Sequence, residues 1–237
     1  MVAVEADEEL EGPFDIDDFD DPDVATVARL DLGSVLIPMP EGGQVQVEIN
    51  ETGVPSAVWV VTPHGRFTIA AYAAPKSTGL WREVASELAE SLRKDVPKVS
   101  IEDGPWGREV VGSGGQGQPV VRFIGVDGYR WMIRCVVNGP EASIGALAEQ
   151  ARDALADTVV RRGDTPLPVR TPLPVALPEQ MAAQLQAATE QAAAAQAQAQ
   201  AEAQGQQPEP SQPPADPAAR RAAQGSAMQQ LRTITGG

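Results

Sequence analysis

The sequence predicts an α+β protein with a mainly antiparallel sheet, two packed helices and disordered termini. Three observations support this fold class. Short apolar runs with alternating polar residues recur between Gly- and Pro-rich turns after residue 24, a pattern typical of antiparallel strands. The pair Asp127-Gly128 separates two of these runs and favours a β-hairpin. Two longer segments carry apolar residues at helical spacing, and each follows a group of strands.

The first half of the predicted domain contains strands at 29–37, 44–50, 57–62 and 66–73. The clearest is 44–50, QVQVEIN, because its apolar and polar residues alternate and successive strand side chains point to opposite faces. The turn Pro63-His64-Gly65 joins the last two strands. We therefore expect antiparallel pairing in this half.

A helix is predicted over 79–94, with Ser77 or Thr78 as its N-cap. Apolar side chains recur on one face and acidic or basic ones on the other, as in a helix that packs on a sheet. A loop at 102–107 and a short strand at 108–111 follow. The apolar stripe of the helix consists of Leu80, Val84, Leu88 and Leu92.

The hairpin at Asp127-Gly128 is predicted to have a two-residue turn, which sets the register of its strands. Both faces of these strands are largely apolar, so we place the hairpin at the centre of the sheet. A last helix begins near Ser143. The predicted pairs are Val126–Tyr129, Ile124–Trp131 and Arg122–Ile133. The predicted buried stripe of the last helix is Ile144, Leu147, Ala148, Ala151, Leu155 and Val159.

An order of three strands and a helix occurs twice in the predicted domain. The two helices share the local pattern Glu-x-Ala, at Glu83 and at Glu149, and their apolar stripes are in phase. This pattern is compatible with a duplicated β-β-β-α unit. It is equally compatible with two independent units side by side, since such patterns are common.

The chain carries a formal net charge of −15, and most of it lies at the N-terminus. Residues 1–23 contain 11 acidic residues and no Lys or Arg, so we predict an acidic disordered arm. Phe14, Ile16 and Phe19 interrupt the acidic run. Two interpretations remain for them: a docking motif for a basic groove of a partner, or apolar contacts with the edge of the domain.

The chain beyond the single predicted α+β domain, 24–165, changes composition twice. Residues 166–178 form a Pro-rich strap, and the sequence TPLPV occurs twice at this point, from Thr165 and from Thr171. Proline enforces extended backbone there. The strap is interpreted either as a ligand for a proline-binding groove or, as we prefer, as a segment packed along the domain through Leu167, Val169, Leu173 and Val175. Residues 179–237 predict an Ala/Gln-rich helix and a disordered tail.

Composition excludes several classes of function. An acidic chain lacks the basic surface that binding to nucleic acid by bulk charge requires. No apolar stretch approaches the ~20 residues that span a bilayer, and the N-terminus has no secretion signal. The single cysteine, Cys135, excludes an internal disulfide and fits a reducing compartment. We therefore predict a cytoplasmic protein.

The sequence contains no recognisable catalytic or metal-binding constellation. One His and one Cys provide no ordinary zinc or iron site. Cys135 lies within an apolar strand and is interpreted as a buried structural thiol, and His64 as an exposed turn residue. The Gly-rich run at 112–117 lacks the Lys-Ser/Thr of a phosphate loop. The prediction is therefore a non-enzymatic protein without cofactor or metal.

Four side chains remain as candidate contacts for a ligand or partner: Trp106, Arg122, Arg130 and Arg134. For Trp106 we prefer the alternative that its ring folds back on the sheet. Arg130 and Arg134 are expected on one strand face, about 13 Å apart. They are candidates to bind an anionic ligand, a partner carboxylate or the acidic arm of the same chain. The simpler alternative is ion pairing with helix glutamates such as Glu83 or Glu149.

Three segments carry a family resemblance: DGPWGREV, GVDGYRWMIRCVVNGP and TPLPVRTPLP. Through them, over roughly residues 13–180, the chain resembles an actinobacterial family of uncharacterised proteins, a domain of unknown function. The resemblance implies an actinobacterial cytosolic protein and supplies neither an activity nor site residues. More loosely, strands followed by a helix, twice over, are similar to α/β modules of the secretion-chaperone or Mog1/PsbP type, a likeness of fold alone.

Our leading functional prediction is a non-enzymatic protein-interaction or adaptor module with a protein partner. It rests on the acidic arm, the Pro-rich strap and the absence of a catalytic pattern. The alternative is a protein or enzyme that binds a small anionic molecule on the sheet face near Trp106, Arg130 and Arg134.

Overall fold

The structure is a computed structural model that describes residues 12–50, 55–115 and 117–205. The chain divides into two compact units, Met1–Ala182 and Ala183–Gly237. The predictions for residues 1–11 and for the tail after residue 205 lie outside the described residues. Within the described chain, no helix is long and apolar enough to cross a membrane.

Eleven strands and four α-helices form the described chain. The strands are β1 (Phe14–Asp15), β2 (Arg29–Asp31), β3 (Val35–Pro38), β4 (Gln44–Ile49), β5 (Pro55–Thr62), β6 (Gly65–Ala73), β7 (Lys98–Gly104), β8 (Gly107–Ser113), β9 (Val120–Asp127), β10 (Trp131–Gly139) and β11 (Val159–Val160). The helices are α1 (Pro22–Thr26), α2 (Leu80–Asp95), α3 (Ile144–Ala156) and α4 (Glu179–Gly205), with a 3-10 turn at Ile16–Asp18.

The strands form one large sheet and one small sheet. The large sheet is antiparallel, in the order β4-β5-β6-β10-β9-β8-β7, and the small one has the order β1-β11-β3-β2. Helix α2 packs on one face of the large sheet, against β7, β8 and β9, whereas α3 packs on the other face, against β6 and β10. The small sheet lies on the α3 side, where its residues share the main core with those of β6 and β10. The predicted α+β class with a large antiparallel sheet is confirmed.

The central hairpin has a different register from the predicted one. Asp127 pairs with Met132 and Val126 with Ile133, and three residues, 128–130, lie between the two strands instead of the predicted two-residue turn. The amide of Gly128 donates to the Trp131 carbonyl at 2.9 Å, and Arg130 adopts a left-handed conformation with φ 64°. The register shift is even, so the strand faces are preserved, but Tyr129 leaves the strand and its side chain is 59% exposed.

Asp127 does not serve as a turn residue because its carboxylate caps helix α2. Its two oxygens accept hydrogen bonds from the amides of Gly79 and Trp81, each at 2.9 Å, and a carboxylate at a helix N-terminus also complements the helix dipole. Gly79, with φ 112°, is the residue before the helix. The predicted caps, Ser77 and Thr78, are therefore wrong.

Trp81 fixes the position of α2 on the sheet. Its ring occupies the space above Gly125, where a Cβ atom would overlap it. Its indole Nε1 donates to the carbonyl of Arg108 at 2.7 Å. Together these contacts join the first turn of α2 to β8 and β9, which come later in the chain.

Two strand predictions are corrected. The predicted loop at 102–107 belongs mostly to a hairpin, because Lys98–Gly104 forms β7 and Gly104 pairs with Gly107. Only Pro105 and Trp106 lie in the turn. The single predicted strand at 29–37 is a hairpin of β2 and β3.

The order of the strands agrees with the predicted repeat, but the positions of the two helices do not. The strands run outward from the β6–β10 pair in matching sequence, β6-β5-β4 on one side and β10-β9-β8 on the other. A two-fold axis normal to the sheet would relate these strands and would keep both helices on one face. Helices α2 and α3 lie on opposite faces.

Residues 12–23 include regular structure, although the sequence predicts disorder to residue 23. Strand β1 pairs in parallel with β11, and Asp21 caps α1 by accepting from the Asp23 amide at 3.0 Å. The apolar residues within the acidic run stabilise this structure, because they pack against buried residues of the first unit.

The Pro-rich segment adds a short extended stretch to the edge of β6. Strand β5 pairs with β6 only as far as Thr68. Beyond that point the Arg170 amide donates to the Ala73 carbonyl at 2.7 Å, and the Leu173 amide donates to the Ala71 carbonyl at 2.9 Å. Leu173 is 4% exposed within the main core, so it anchors the strap.

Replacing Leu173 with alanine should lower the free energy of unfolding by about 2–4 kcal/mol, because a buried leucine leaves a cavity behind. Urea denaturation measures this loss. Val169→Ala is the matched control in the same strap, since Val169 is 50% exposed and should change stability by less than about 0.5 kcal/mol. Equal effects of the two substitutions would contradict the anchoring role of Leu173.

Candidate functional site

A cavity of about 320 Å³ lies between α2, the large sheet and the Pro-rich segment. Helix α2 contributes one wall, strands β6 and β10 form the floor, and the Pro-rich segment contributes one arginine. The lining residues are Tyr72, Val84, Glu87, Leu88, Ser91, Met132, Arg134 and Arg170.

Arg134 is the cation at the floor of this cavity. Its Nη2 donates to the Tyr72 hydroxyl at 2.5 Å, and its guanidinium carbon lies 4.9 Å from the centre of the Tyr72 ring. Its Nε is buried and has no hydrogen-bond partner in the part of the chain that the structure describes. Within the described residues Arg134 forms no ion pair.

The sheet register explains why Arg134 fits at this position. Arg134 pairs with Ala70 on β6 and with Gly125 on β9, so its cross-strand neighbours on the same face are small. Helix α2 covers the sheet on the β9 side and leaves the Arg134 side chain at its margin, half-buried.

Arg170, by contrast, is fully paired. Its Nη1 and Nη2 donate to the two carboxylate oxygens of Glu87 at 2.8 Å and 3.0 Å, and Nη2 also reaches Glu83 at 3.3 Å. The hydrogen bond to Glu87 is the main reason why the pKa of Arg170 lies above its ordinary value. The bidentate geometry fixes the orientation of both side chains.

Arg130 does not share a strand face with Arg134, contrary to the sequence prediction. It lies in the loop between β9 and β10, and its nearest acidic partner is Asp164, at 3.8 Å. Arg130 also lines a small cavity of about 120 Å³ together with Asp15 and Asp17 of the N-terminal segment. The loop conformation separates the two arginines that the sequence placed together.

Arg122 belongs to a buried charge cluster on the α3 side of the sheet. It donates to Glu109 at 2.6 Å and to Glu102 at 2.7 Å. Arg152 of α3 also donates to both oxygens of Glu109, at 3.0 Å and 2.8 Å. The alternative of ion pairs with helix glutamates does not apply to Arg122, because its acidic partners come from strands β7 and β8.

The cluster also affects the only cysteine. Burial raises the pKa of the Cys135 thiol, and the negative charge of Glu109 raises it further. Cys135 is fully buried, so its thiol stays protonated and unreactive at neutral pH. This geometry suits the structural thiol that the sequence indicates.

Trp106 folds back on its own chain. Its indole Nε1 donates to the carbonyl of Gly12 at 2.8 Å, and its ring packs on the main core. Neither contact involves Arg134, so the structure does not bring Trp106 and Arg134 together.

The apolar residues of the acidic segment also contact the domain of the same chain. Phe14, Ile16 and Phe19 pack against a buried group of Ala25, Leu36 and Val159. Asp15 between them accepts a hydrogen bond from the indole Nε1 of Trp131 at 2.8 Å.

Another cavity, of about 510 Å³, lies at the end of the sheet beside His64. His64 is half-buried, not exposed as predicted, because the β5–β6 turn packs under α3. Its carbonyl accepts a hydrogen bond from the Ser143 hydroxyl at 2.8 Å. Among the described residues, no group of His, Cys, Asp or Glu is placed to hold a metal ion.

Among the polar residues that line the Arg134 cavity, the sequence singled out Arg134 alone and missed four: Tyr72, Glu87, Ser91 and Arg170. One signal was available for Arg170, because it is the only charged residue between the two TPLPV repeats. No local pattern joins it to Glu87, since 83 positions separate the two residues in the chain.

Fold and cavity together describe an α+β protein with a cavity beside helix α2, lined by Arg170, which is ion-paired, and by Arg134, which has no ion pair within the described residues. A family model described as "Protein of unknown function (DUF3710)" matches residues 12–184, and the chain belongs to this family. No curated protein is significantly similar to the chain.

One solved structure is similar in part. It is a crystal structure at 1.50 Å resolution from Bacteroides thetaiotaomicron VPI-5482, 14% identical, with a TM-score of 0.37. The match covers 60% of this chain and 51% of that chain, so the present chain spans about half the length of that protein.

Replacing Glu109 with glutamine should lower the free energy of unfolding by about 3 kcal/mol or more, because Arg122 and Arg152 then lose a buried counter-charge. Glu109 is 1% exposed. Urea denaturation provides the measurement.

The control is Glu102→Gln in the same cluster. The Glu102 side chain is 45% exposed, so its loss should cost less than about 1 kcal/mol. A smaller effect at Glu109 than at Glu102 would show that the buried carboxylate does not hold the cluster together.

Proposed function

We propose that this protein is a non-enzymatic binding module whose ligand is a small anionic molecule, bound in the cavity between α2 and β10. One observation carries the proposal: Arg134 is half-buried at the cavity floor and forms no ion pair within the described residues. Removing a cation from water is costly unless it is paired, so an anionic group is the complementary ligand.

Binding to a partner through the terminal segments has less support. Phe14, Ile16 and Phe19 are engaged within the chain, and the Pro-rich segment is bonded to β6. These contacts occupy the side chains and backbone that a partner groove would need. A protein-interaction function would then rest on residues 1–11 or on the tail, which lie outside the described residues.

The cavity lining favours binding over catalysis. Its described residues include no His or Cys, and its only carboxylate, Glu87, is bound by Arg170. A hydroxyl such as that of Ser91 has no general base beside it among these residues, and nucleophilic catalysis requires one. The non-enzymatic character, like the cytoplasmic location and the actinobacterial origin, stays a prediction.

Arg134→Gln should weaken the binding of anions at least about tenfold, since a hydrogen bond to a charged group contributes about 1.5–3 kcal/mol. Isothermal titration calorimetry with octanoate, octanedioate, hexyl phosphate and inorganic phosphate measures the affinities. A neutral analogue, octanamide, tests whether charge is required.

Arg66→Gln is the matched control. Arg66 lies on the same face of the sheet, over the Trp59 ring at 4.4 Å, and does not line the cavity, so its loss should leave the affinities unchanged. If the wild-type protein binds none of the four anions, or binds them as well after Arg134→Gln, the proposed function is wrong.

A further inference from the structure

The charges around the cavity are unevenly distributed. Arg170 is shared by two carboxylates, Glu83 and Glu87, so this group of three carries a net negative charge. Arg134 carries the opposing positive charge at the floor, with no carboxylate of its own among the described residues. The cavity therefore offers one cation without an ion pair, Arg134, beside a group in which negative charge exceeds positive; Glu87 and Arg170 of this group line the cavity, and Glu83 lies behind them.

A ligand with a single negative charge suits this arrangement best. Its anionic group gains the attraction of Arg134, whereas a second anionic group would approach the carboxylate of Glu87, and like charges repel at short range. The distribution thus discriminates between anions by the number of their charges.

The hydrogen-bond donors at the floor match a carboxylate. The guanidinium of Arg134 is half-buried in the lining and forms no ion pair within the described residues, and a guanidinium binds a carboxylate through charge-assisted hydrogen bonds. The Tyr72 hydroxyl accepts from Arg134, so its own proton is free to be donated to a second ligand oxygen.

The walls of the cavity are apolar. Val84 and Leu88 project from α2, and Met132 from β10 is 2% exposed. Methionine adapts its shape to irregular apolar groups. A hydrocarbon body attached to the carboxylate would replace water along these side chains.

From this geometry we infer that the cavity binds monocarboxylates with an apolar body, and that Glu87, held in place by Arg170, excludes anions of higher charge. The inference rests on the proposed function of the same cavity. Arg170 acts as a positioning residue: without it, Glu87 loses its bidentate partner and competes with the ligand for Arg134.

The test compares octanoate with octanedioate, two acids of equal chain length that differ in one charged group. Calorimetric titration at neutral pH should give at least about tenfold tighter binding of octanoate to the wild-type protein. Glu87→Gln should reduce this ratio at least threefold. Glu90→Gln is the control, because Glu90 is exposed on the same helix and does not line the cavity.

A double substitution tests the role of Arg170. Arg170→Gln should weaken octanoate binding at least threefold, and adding Glu87→Gln should restore it, which a purely structural loss would not allow. Urea denaturation of each variant separates binding effects from unfolding. The methyl resonance of Met132 should shift with octanoate and report that the ligand occupies this cavity.

The outcomes distinguish the inference from the proposed function. Binding that depends on Arg134 but favours octanedioate or phosphate overturns the inference and leaves the proposed function intact. An unchanged ratio after Glu87→Gln, or no recovery in the double variant, likewise overturns the inference. Absence of any Arg134-dependent binding overturns both.

Discussion

The arrangement of the first unit depends on the hydrogen bonds that the carboxylate of Asp127 accepts. The carboxylate binds the amides of Gly79 and Trp81 and so attaches the start of α2 to the end of a strand 46 positions later in the chain. The helix is thereby placed over β7, β8 and β9. Its margin then lies beside β10, and the cavity at Arg134 exists because the helix stops short of covering that strand.

Local patterns predicted most elements of the fold but not the contacts between them. Alternation revealed β4, and the apolar stripe revealed α2 to within one residue at each end, because these signals depend on period alone. The position of the hairpin at Asp127 was predicted correctly, but the predicted register of its strands was wrong. Asp-Gly prefers a tight turn, and the capping of α2 by Asp127 overrides this preference. Strand β7 was not predicted, because it is an edge strand with an irregular polar pattern and few buried side chains.

The candidate site was predictable only in part, for a related reason. Arg134 stood out as a charge within an apolar strand, but its grouping with Arg130 assumed that the strand began before residue 130. The positive φ of Arg130 and the start of β10 at Trp131 could not be read from composition. Glu87 and Arg170 meet only because the Pro-rich segment returns to the sheet, and such long-range contacts leave no periodic trace in one sequence.

That returning segment also has a consequence for the behaviour of the protein in concentrated solution. Strand β5 leaves the second half of β6 without a strand neighbour on that side, and Arg170 to Leu173 take up its amide and carbonyl groups. An unoccupied strand edge is a template for strand addition between molecules. A single proteolytic cut that released this segment would therefore expose an unpaired strand edge in the middle of the fold. The two proline repeats resist regular strand pairing themselves, so the segment covers that edge without creating a new one.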